Sequence, residues 1–395
     1  MKVLCLDIEG GHGGSSRSLY QLLSAVDRDV VSPTVWCRLG GAIEDAYSSV
    51  DIPVEVHPQM PRFTVLERPS RNLIDLARFF MNRWPKSRSF RKGLLAVCDH
   101  VDLVHLNHIS LFWVARWLRK RRPNLPITMH IRTRPPKNVF GRWQARVASA
   151  SCDSFVHISE NEGDWFRSLA AGRCVSGRVV LNPVHVLVHE DGPSARNQET
   201  LMVLCLSNYS FPRGIDRLID VAACLDAMGD RAVRFVVAGD MHLPAGLTGD
   251  LGDVARRGGT LADVAARRGV ADRFDFLGHV SKPEQWLGQA DVLVKPTRED
   301  NPWGRDIIEA LGHGVPVASV GTYDKFVESH RTGLLQKTFD AAELAAWLCE
   351  LAADRGRLDV MRKAAAERIA ELCNPVRQAA SVVDLWRDTV EARRR

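Results

Sequence analysis

Residues 296–317 combine the residue types that bind phosphates and sugar hydroxyls. Asn301, Trp303 and Gly304 follow a predicted strand and lead into a predicted helix that carries Glu309. The free amide groups at the start of such a helix can hold a phosphate or a sugar hydroxyl. A carboxylate further along the helix can accept hydrogen bonds from two vicinal hydroxyls, which suits a ribose. The segment therefore predicts a site for a phosphate or a sugar beside a ribose.

A second loop, residues 207–218, places Arg213 directly before Gly214 and another predicted helix. A guanidinium in this position can pair with both charges of a diphosphate. A surface arginine that binds nothing fits these residues equally well. On these residues alone both interpretations stay open.

A third loop, residues 9–17, is rich in glycine and follows the first predicted strand. Gly13 and Gly14 can let a phosphate approach the start of the next helix. The glycine spacing is not G-x-G-x-x-G, and Cys37 and Arg38 end the second strand where a dinucleotide site would have an acid. A dinucleotide site is therefore disfavoured. A tight turn that binds no ligand is the alternative.

The elements that must position these loops follow one pattern in both halves of the chain. Short apolar runs alternate with longer amphipathic segments, which is typical of parallel sheets covered by helices. The predicted strands are Val3–Ile8, Thr34–Arg38, Val54–His57, Leu103–Leu106, Ile127–Ile131 and Phe155–Ile158, then Leu201–Leu206, Arg234–Ala238, Phe274–Leu277, Val292–Lys295 and Val315–Val320. After Phe339 the pattern is helical to the end of the sequence.

This pattern predicts an α/β protein of two Rossmann-like, doubly wound domains that face each other across a cleft. We expect the first domain to comprise residues 1–185 and a returning C-terminal helix, 376–395. The second should comprise residues 198–375, after a polar linker. Ligands of such sheets bind beyond the carboxyl ends of the strands.

The charge and composition of the chain indicate which kinds of partner it could bind and where it could act. The 395 residues carry a net charge of +6, but residues 1–185 hold 26 Lys and Arg against 16 Asp and Glu. A basic half suggests an anionic partner such as a lipid surface, a phosphorylated acceptor or nucleic acid. Nine scattered cysteines without a C-x-x-C pair indicate a reduced, cytoplasmic protein. We see no apolar run long enough to span a membrane.

Residues 78–92 and 113–122 interleave basic side chains with large aromatic ones. Such a mixture suits the surface of an anionic membrane. Solvated helices whose aromatic side chains belong to the core are the alternative. No recognition motif supports nucleic-acid binding, and no ligand spacing indicates a metal site.

The sequence as a whole resembles the retaining glycosyltransferases of the GT-B fold, specifically glycosyltransferase family four. The signature of that family is a Glu, seven residues, a second Glu, then Ala and a Gly-x-Pro-Val strand start. Residues 301–317 follow it except at the first Glu, and agreement continues in order along the chain. The other matching positions are Gly13-Gly14, His130, Asn182-Pro183-Val184, Arg213-Gly214, Ala238-Gly239-Asp240, Phe276-Leu277-Gly278 and Thr332-Gly333-Leu334-Leu335.

The resemblance implies a role for individual residues. Glu309 matches the Glu that binds the nucleotide's ribose, and Gly304 with the backbone of Arg305 matches the turn that holds the donor sugar. Arg213 matches the Lys that neutralises the diphosphate. His130 matches a histidine that lies over the donor sugar at the reacting centre.

Two positions depart from the family pattern. Asn301 replaces the first Glu of the signature, and Asn208 stands where the family has an Arg that partners the Lys. An amide hydrogen-bonds to hydroxyls but carries no charge. Our hypothesis is that Arg305 supplies the missing positive charge.

We therefore expect a metal-independent transferase without a cofactor. It would move a sugar from a nucleotide diphosphate sugar to a saccharide or lipid-linked acceptor, with retention of configuration. It would act in the cytoplasm, peripheral on the inner membrane face. The alternatives are a nucleotide-sugar epimerase or a sugar phosphorylase on the same fold, and a non-catalytic protein that binds nucleotide sugars.

Overall fold

A computed structural model describes residues 1–10, 13–171, 176–186 and 199–395. The chain divides into two compact units. Unit 1 comprises Met1–Pro183 and Cys373–Arg395, and unit 2 comprises Val184–Leu372. Most of the predicted linker, and Gly11 and His12 of the first glycine-rich loop, lie outside the described residues.

Unit 1 alternates strands and helices, as the sequence predicts. Its strands are β1 (Lys2–Asp7), β2 (Ser32–Cys37), β3 (Val54–Val56), β4 (Leu103–Leu106), β5 (Ile127–Ile131), β6 (Ser154–His157) and β7 (Gly177–Val179). Its helices are α1 (Gly14–Ser24), α2 (Ala42–Ser48), α3 (Pro69–Arg78), α4 (Trp84–Lys86), α5 (Arg88–Cys98), α6 (Phe112–Arg121), α7 (Val139–Ser149) and α8 (Glu160–Ala170). A π-helical turn, Phe79–Arg83, joins α3 to α4, and a 3₁₀ turn, Ile109–Leu111, precedes α6.

Unit 2 repeats the alternation. Its strands are β8 (Leu201–Leu206), β9 (Val233–Ala238), β10 (Phe274–Gly278), β11 (Val292–Lys295), β12 (Val317–Val320) and β13 (Gly333–Gln336). Its helices are α9 (Arg217–Ala227), α10 (Gly249–Ala255), α11 (Leu261–Arg267), α12 (Pro283–Gln289), α13 (Arg305–Gly312), α14 (Ala341–Ala353) and α15 (Arg355–Leu372). Two 3₁₀ turns, Phe211–Arg213 and Ala271–Arg273, complete it, and α16 (Pro375–Arg394) returns to unit 1.

Both units contain one parallel sheet. The strand order is β3-β2-β1-β4-β5-β6-β7 in unit 1 and β10-β9-β8-β11-β12-β13 in unit 2. In each sheet the order reverses beside the first strand, which is the doubly wound arrangement and the place where ligands of such sheets bind. The predicted α/β class with two Rossmann-like domains is confirmed. Of the strands that the structure describes, the sequence missed β7 and β13, the last strand at one edge of each sheet.

The central strands are apolar because helices cover both faces of a parallel sheet. All four residues of β4 and all five of β5 are buried, and Leu4, Cys5 and Leu6 of β1 are inaccessible. The eight cysteines that the structure describes form no disulfide bond.

Helix α16 belongs to the core of unit 1, as expected for a returning helix. The Asn374 side chain caps it by accepting a hydrogen bond from the Arg377 amide at 3.1 Å. Trp386 on this helix is completely buried and packs against the His105 ring. The sequence placed Val184 and His185 in the first domain, whereas the structure groups them with unit 2. Among the described residues we find no helix with the length and apolarity needed to cross a membrane.

Candidate active site

A cavity of about 400 Å³ lies at the carboxyl ends of β8 and β11 in unit 2. These are the two strands between which the order of the sheet reverses. Arg213, Lys295 and Arg305 line the cavity, together with Asn301. Two acidic residues, Glu299 and Asp306, also line it. The cavity thus joins the second and third loops that the sequence selected.

Arg213 ends the 3₁₀ turn after β8 and is exposed. Its Nη1 donates to the Ser207 hydroxyl at 2.8 Å and to the Asn208 carbonyl at 3.2 Å. Both acceptors are neutral, so the charge of this guanidinium is oriented but not neutralised by an ion pair within the described residues. A diphosphate could supply the missing negative charge.

Gly214 must be glycine for two reasons. Its φ of +69° lies in the left-handed region, and a Cβ here would stand 2.1 Å from the Pro296 carbonyl oxygen. Only glycine permits this close approach without strain. The contact holds the Arg213 turn directly against the loop after β11.

Two further arginines attach the same loop. Arg217 donates to the carbonyl of Thr297 at 2.7 Å, and Arg298 pairs with Asp216. The Arg298 guanidinium also lies 4.0 Å from the centre of the Phe211 ring.

At the other end of this loop, Asp300 accepts hydrogen bonds from the amide and hydroxyl of Thr322 at 2.7 and 2.8 Å. The loop that carries Asn301 is therefore fixed at both ends.

Lys295 is a candidate residue that the sequence did not single out. It is the last residue of β11, and its Nζ donates to the Trp303 carbonyl at 2.7 Å and lies 3.3 Å from Asp306 Oδ1. A Cβ on Gly304 would stand 2.8 Å from this Nζ, so the glycine leaves room for the ammonium group. The available signal was a lysine at the carboxyl end of an otherwise apolar strand.

Gly304 precedes α13 with a φ of +144°, a conformation that only glycine adopts readily. The next residue, Arg305, donates from Nε and Nη2 to Glu309 Oε1 at 2.9 and 2.6 Å. These two side chains are only 11% and 13% exposed. Arg305 lines the cavity and is held there by Glu309. Its role in binding the diphosphate, and the role of Glu309 in binding ribose, stay predictions.

Asn301 offers an unused acceptor at the cavity. Its Oδ1 is buried and has no hydrogen-bond partner among the described residues. An unpaired buried acceptor is costly, and a ligand hydroxyl would satisfy it. Trp303 is 6% exposed, and its ring packs edge-on against Tyr323 at 5.2 Å. Trp303 is not among the residues that line the cavity, and its contact with a ligand stays a prediction.

Asn208 has a clear structural partner. Its Oδ1 accepts a hydrogen bond from the Asp240 amide at 2.8 Å, which joins the ends of β8 and β9. Its predicted part in nucleotide binding is not tested by this contact.

At the equivalent edge of unit 1, described polar side chains hydrogen-bond within the chain. Asp7 at the end of β1 is inaccessible and accepts from Ser16 and, at 2.9 Å, from Asn107. Arg132 donates to the Asn107 side chain at 2.8 Å and to the Asn182 side chain at 2.9 Å. Burial raises the pKa of Asp7, an effect that the bonds from Ser16 and Asn107 oppose.

In the first glycine-rich loop, the Glu9 carboxylate lies beside Gly13. A Cβ on Gly13 would lie 1.4 Å from Glu9 Oε2, so the carboxylate occupies the space above this glycine. Helix α1 begins at Gly14, and its positive end favours an anion at this place. The Glu9 carboxylate meets that preference and would repel a phosphate. Ligand binding by Gly13 and Gly14 stays a prediction.

His130 lies inside β5 and is only 2% exposed. Burial, followed by the charge of Arg132, lowers its pKa well below the usual value, so the ring is neutral. Its Nε2 has no hydrogen-bond partner within the described residues. The predicted position over a donor sugar is untested, and in this structure the ring presents almost no surface to a ligand.

The described residues contain no cluster of three or more His, Cys, Asp or Glu side chains that could hold a metal ion. The expectation that the protein needs no metal remains a prediction.

Two family models match the chain one after the other. Residues 12–186 match the model described as Glycosyltransferase Family 4, and residues 200–354 match the model described as Glycosyl transferases group 1. A search of curated proteins gives no match.

Several solved structures share the fold over nearly the whole chain. HepE from Anabaena, solved in complex with UDP, has a TM-score of 0.73 at 21% identity over 98% of this chain and 100% of its own. Sucrose-phosphate synthase from Thermosynechococcus elongatus has a TM-score of 0.72 at 16% identity over 99% of this chain and 100% of its own. WaaG, a glycosyltransferase involved in lipopolysaccharide biosynthesis, has a TM-score of 0.60 at 13% identity over 98% and 99%. At these identities the likeness shows the fold.

The two glycosyltransferase matches together span most of the sequence, in the two units that the structure separates. Their order along the chain agrees with the resemblance inferred from the residue motifs. The chain belongs to the glycosyltransferases of the GT-B fold that these two models describe.

Proposed function

We propose that this chain transfers a sugar from a UDP-linked donor to a hydroxyl of a saccharide or lipid-linked acceptor, with retention of configuration at the anomeric carbon. The observation that carries the proposal is the cavity at the carboxyl ends of β8 and β11, with Arg213, Lys295 and Arg305 on its wall. HepE, which shares the fold, has been solved with UDP-glucose. That structure supports uracil as the base of the donor nucleotide.

The cations of the cavity suit the departure of a diphosphate. When the bond between the anomeric carbon and the phosphate oxygen breaks, its electron pair goes to the diphosphate. Arg213, whose partners among the described residues are neutral oxygens, stabilises this charge, and Arg305 and Lys295 add positive charge on the wall of the same cavity. Fixed cations facing a developing negative charge lower the barrier most effectively, because they need little reorganisation.

The acceptor hydroxyl then forms the new bond on the face that the diphosphate leaves. Its proton passes to a phosphate oxygen, which lies on that same face, so no carboxylate has to form a covalent bond to the sugar. Asn301, with its unpartnered amide oxygen, accepts a hydrogen bond from a hydroxyl of the donor sugar. Because this side chain is neutral, it also tolerates a negatively charged sugar better than a Glu would.

The proposed donor site is tested first by ligand binding. UDP and UDP-sugars should raise the melting temperature of the protein, since a ligand that binds only the folded state stabilises it. We expect ribose recognition to depend on Glu309. Wild-type protein should therefore bind UDP more tightly than 2′,3′-dideoxy-UDP, and Glu309→Ala should bind the two equally. Glu350→Ala, which removes an exposed carboxylate on α14, is the matched control.

Turnover assays separate the proposed function from its alternatives. A transferase releases UDP from a UDP-sugar only when an acceptor hydroxyl is present. Conversion of the donor to an epimer without acceptor would identify an epimerase, and a requirement for inorganic phosphate would identify a phosphorylase. Binding without any release of UDP, with every acceptor offered, would indicate a protein that only binds nucleotide sugars. Each of these three results would overturn the proposal.

A further inference from the structure

The basic and aromatic segments of unit 1 separate into packed and exposed side chains. Phe79 and Phe90 are core residues, 1% and 3% exposed, while Trp113 and Trp117 pack against the core. For these aromatic side chains, the interpretation as core residues is confirmed. Phe80 differs, since 38% of its surface stays exposed.

Phe80 belongs to a continuous apolar surface on α3 and the π-helical turn that follows. Leu73, Ile74 and Met81 are 62%, 56% and 74% exposed, and Ala77 lies between them. We call these five residues the α3 surface. Their spacing of three or four residues places them on one face of the helix. Such a face normally packs into the core, whereas here it points to solvent.

The opposite face of α3 fixes this orientation. Asn72 is fully buried, and its side chain exchanges hydrogen bonds of 2.8 and 2.7 Å with the backbone amide and carbonyl of Leu66. Phe79, in the next turn, packs on Phe63 with ring centres 5.6 Å apart. A rotation that buried the α3 surface would break both contacts. The apolar side chains are therefore held outward.

Positive charge surrounds the α3 surface. Residues 68–92 contain eight Lys and Arg against one acidic residue, Asp75. Arg71, Arg78 and Arg83 are exposed and lie within the same helical turns as the apolar side chains. Arg78 approaches Asp75 at 3.8 Å, a loose pair at the surface.

We propose that the α3 surface docks unit 1 on an anionic lipid bilayer. Apolar side chains at helical spacing insert between the lipid headgroups, and the surrounding arginines pair with the acidic headgroups. A second copy of the chain fits less well, because a two-fold contact would bring the two basic surrounds together. The membrane partner expected from the basic half of the sequence is thereby assigned to one surface of unit 1, none of whose five residues lines the donor cavity.

The experiment uses the full chain and phosphatidylcholine vesicles with and without phosphatidylglycerol. Wild-type protein should sediment with the anionic vesicles and not with the neutral ones, and added salt should release it. The triple variant Leu73→Ser, Ile74→Ser, Met81→Ser should bind the anionic vesicles at least about tenfold more weakly. Val360→Ser and Val376→Ser, which change side chains 71% and 67% exposed elsewhere, should bind like the wild type.

Unfolding and turnover measurements complete the test. The three positions are exposed, so the melting temperature of the triple variant should stay unchanged, and its UDP release with a water-soluble acceptor should match the wild type. Equal binding of wild type and triple variant to anionic vesicles would overturn the proposal. Binding of the wild type to neutral vesicles but not to anionic ones would also overturn it. A third contrary result would be a wild-type dimer that does not bind vesicles and that dissociates in the triple variant. A failure of UDP release in every variant would instead count against the proposed function.

Discussion

The two sheets have the same strand order around their first strand, yet their carboxyl edges are built differently. In unit 2 the reversal between β8 and β11 leaves a cavity of about 400 Å³. In unit 1, Asp7 lies at the reversal between β1 and β4 and accepts hydrogen bonds from the side chains of Ser16 and Asn107. We call the edge of unit 2 open, because its cations line a cavity, and the edge of unit 1 closed, because its described carboxylate Asp7 is engaged in hydrogen bonds within the chain.

The two edges differ in the partners of their charged side chains. Asp7 and Arg132 in unit 1 are both joined to Asn107, so the acid and the base of that edge are committed to the same buried network. Arg213 in unit 2 is exposed, and its partners in the described part of the chain are neutral oxygens. The fold provides the position, and these side chains decide whether the position binds an anion. The predictions below test this contrast, from the largest expected effect to the smallest.

Replacing Arg213 with Ala should damage turnover most. Loss of one group that stabilises the charge developing in the transition state typically costs about 10²–10³-fold in rate. We expect kcat/KM for the UDP-sugar to fall by about that factor. The melting temperature should stay within one or two degrees of the wild type, roughly the effect of a neutral surface change. Steady-state assays of UDP release and a thermal unfolding scan give both numbers.

Arg256→Ala is the matched control, because Arg256 is also an exposed arginine of unit 2 and its partner is Asp253 on the same helical turn. It should turn over like the wild type. Arg213→Lys should recover part of the activity, since it keeps the charge but loses the bidentate geometry. Wild-type turnover by Arg213→Ala would show that the open edge of unit 2 does not hold the diphosphate in this way.

Replacing Asp7 with Ala should have the opposite effect: the protein should lose stability but keep its affinity for UDP. The change leaves Ser16 and Asn107 without their acceptor and Arg132 without the nearby acid. Breaking a buried network of this kind lowers the free energy of unfolding by about 3 kcal/mol. UDP binding by the folded protein should stay within about twofold, because Asp7 is not among the residues that line the cavity. Urea unfolding and a UDP titration measure the two quantities.

Asp45→Ala removes an exposed carboxylate from α2 and serves as the control, with an expected change of less than about 0.5 kcal/mol. If Asp7→Ala abolished UDP binding in a protein that is still folded, the closed edge of unit 1 would have to contribute to the donor site.

Acid should destabilise unit 1 through its buried histidines. Burial, followed by the charge of Arg167, lowers the pKa of His157 to about 4, while the same group titrates near 6.5 when unfolded. The unfolded chain therefore binds a proton below pH 6.5 that the folded chain refuses until about pH 4. The stability contributed by this group is lost as the pH falls through that window, by about 2 kcal/mol between pH 7 and pH 5.

The measurement is urea unfolding at pH 7, 6 and 5. His157→Asn should be less stable than wild type at pH 7 but should lose less stability towards pH 5. His279→Asn, at an exposed position in unit 2, should keep the wild-type pH dependence. Parallel curves for wild type and His157→Asn would show that this histidine is not held neutral by burial.

The sequence predicted those parts of the fold in which a clear apolar run marks a central, buried strand. The runs at residues 103–106 and 127–131 are buried strands with the bounds that the pattern indicated. The two missed strands, Gly177–Val179 and Gly333–Gln336, are only three and four residues long and lie at the edge of their sheets. Short runs that begin with glycine give little local signal, because pairing with the neighbouring strand stabilises them.

The candidate site could be predicted in part for the same reason. Arg213, Asn301 and Arg305 lie in the segments between β8 or β11 and the next helix or at the start of that helix, so their place at one edge of the sheet follows from the order of elements. Two other features depend on contacts between side chains and a distant backbone, which a linear pattern does not encode. Lys295 reaches the Trp303 carbonyl across a tight loop, and Glu9 folds over Gly13.

Replacing Lys295 should have the smallest effect of these changes and tests the open edge of unit 2. Its ammonium both lines the cavity and holds the loop before α13 through the Trp303 carbonyl and Asp306. Lys295→Met keeps most of the side-chain volume and removes the charge. We expect UDP to bind about tenfold more weakly, which corresponds to about 1.4 kcal/mol. Lys282→Met, at an exposed position before α12, is the control and should bind UDP normally.

Comparing UDP with uridine then separates the two roles of Lys295. If the ammonium attracts the diphosphate, the variant loses affinity for UDP while its affinity for uridine stays the same. If the lysine acts only by positioning the loop, both ligands weaken by a similar factor, because a displaced loop also moves the wall of the cavity. Unchanged affinity for both ligands would remove Lys295 from the site. Arg213 and Arg305 would then be the cations on which the open edge of unit 2 depends.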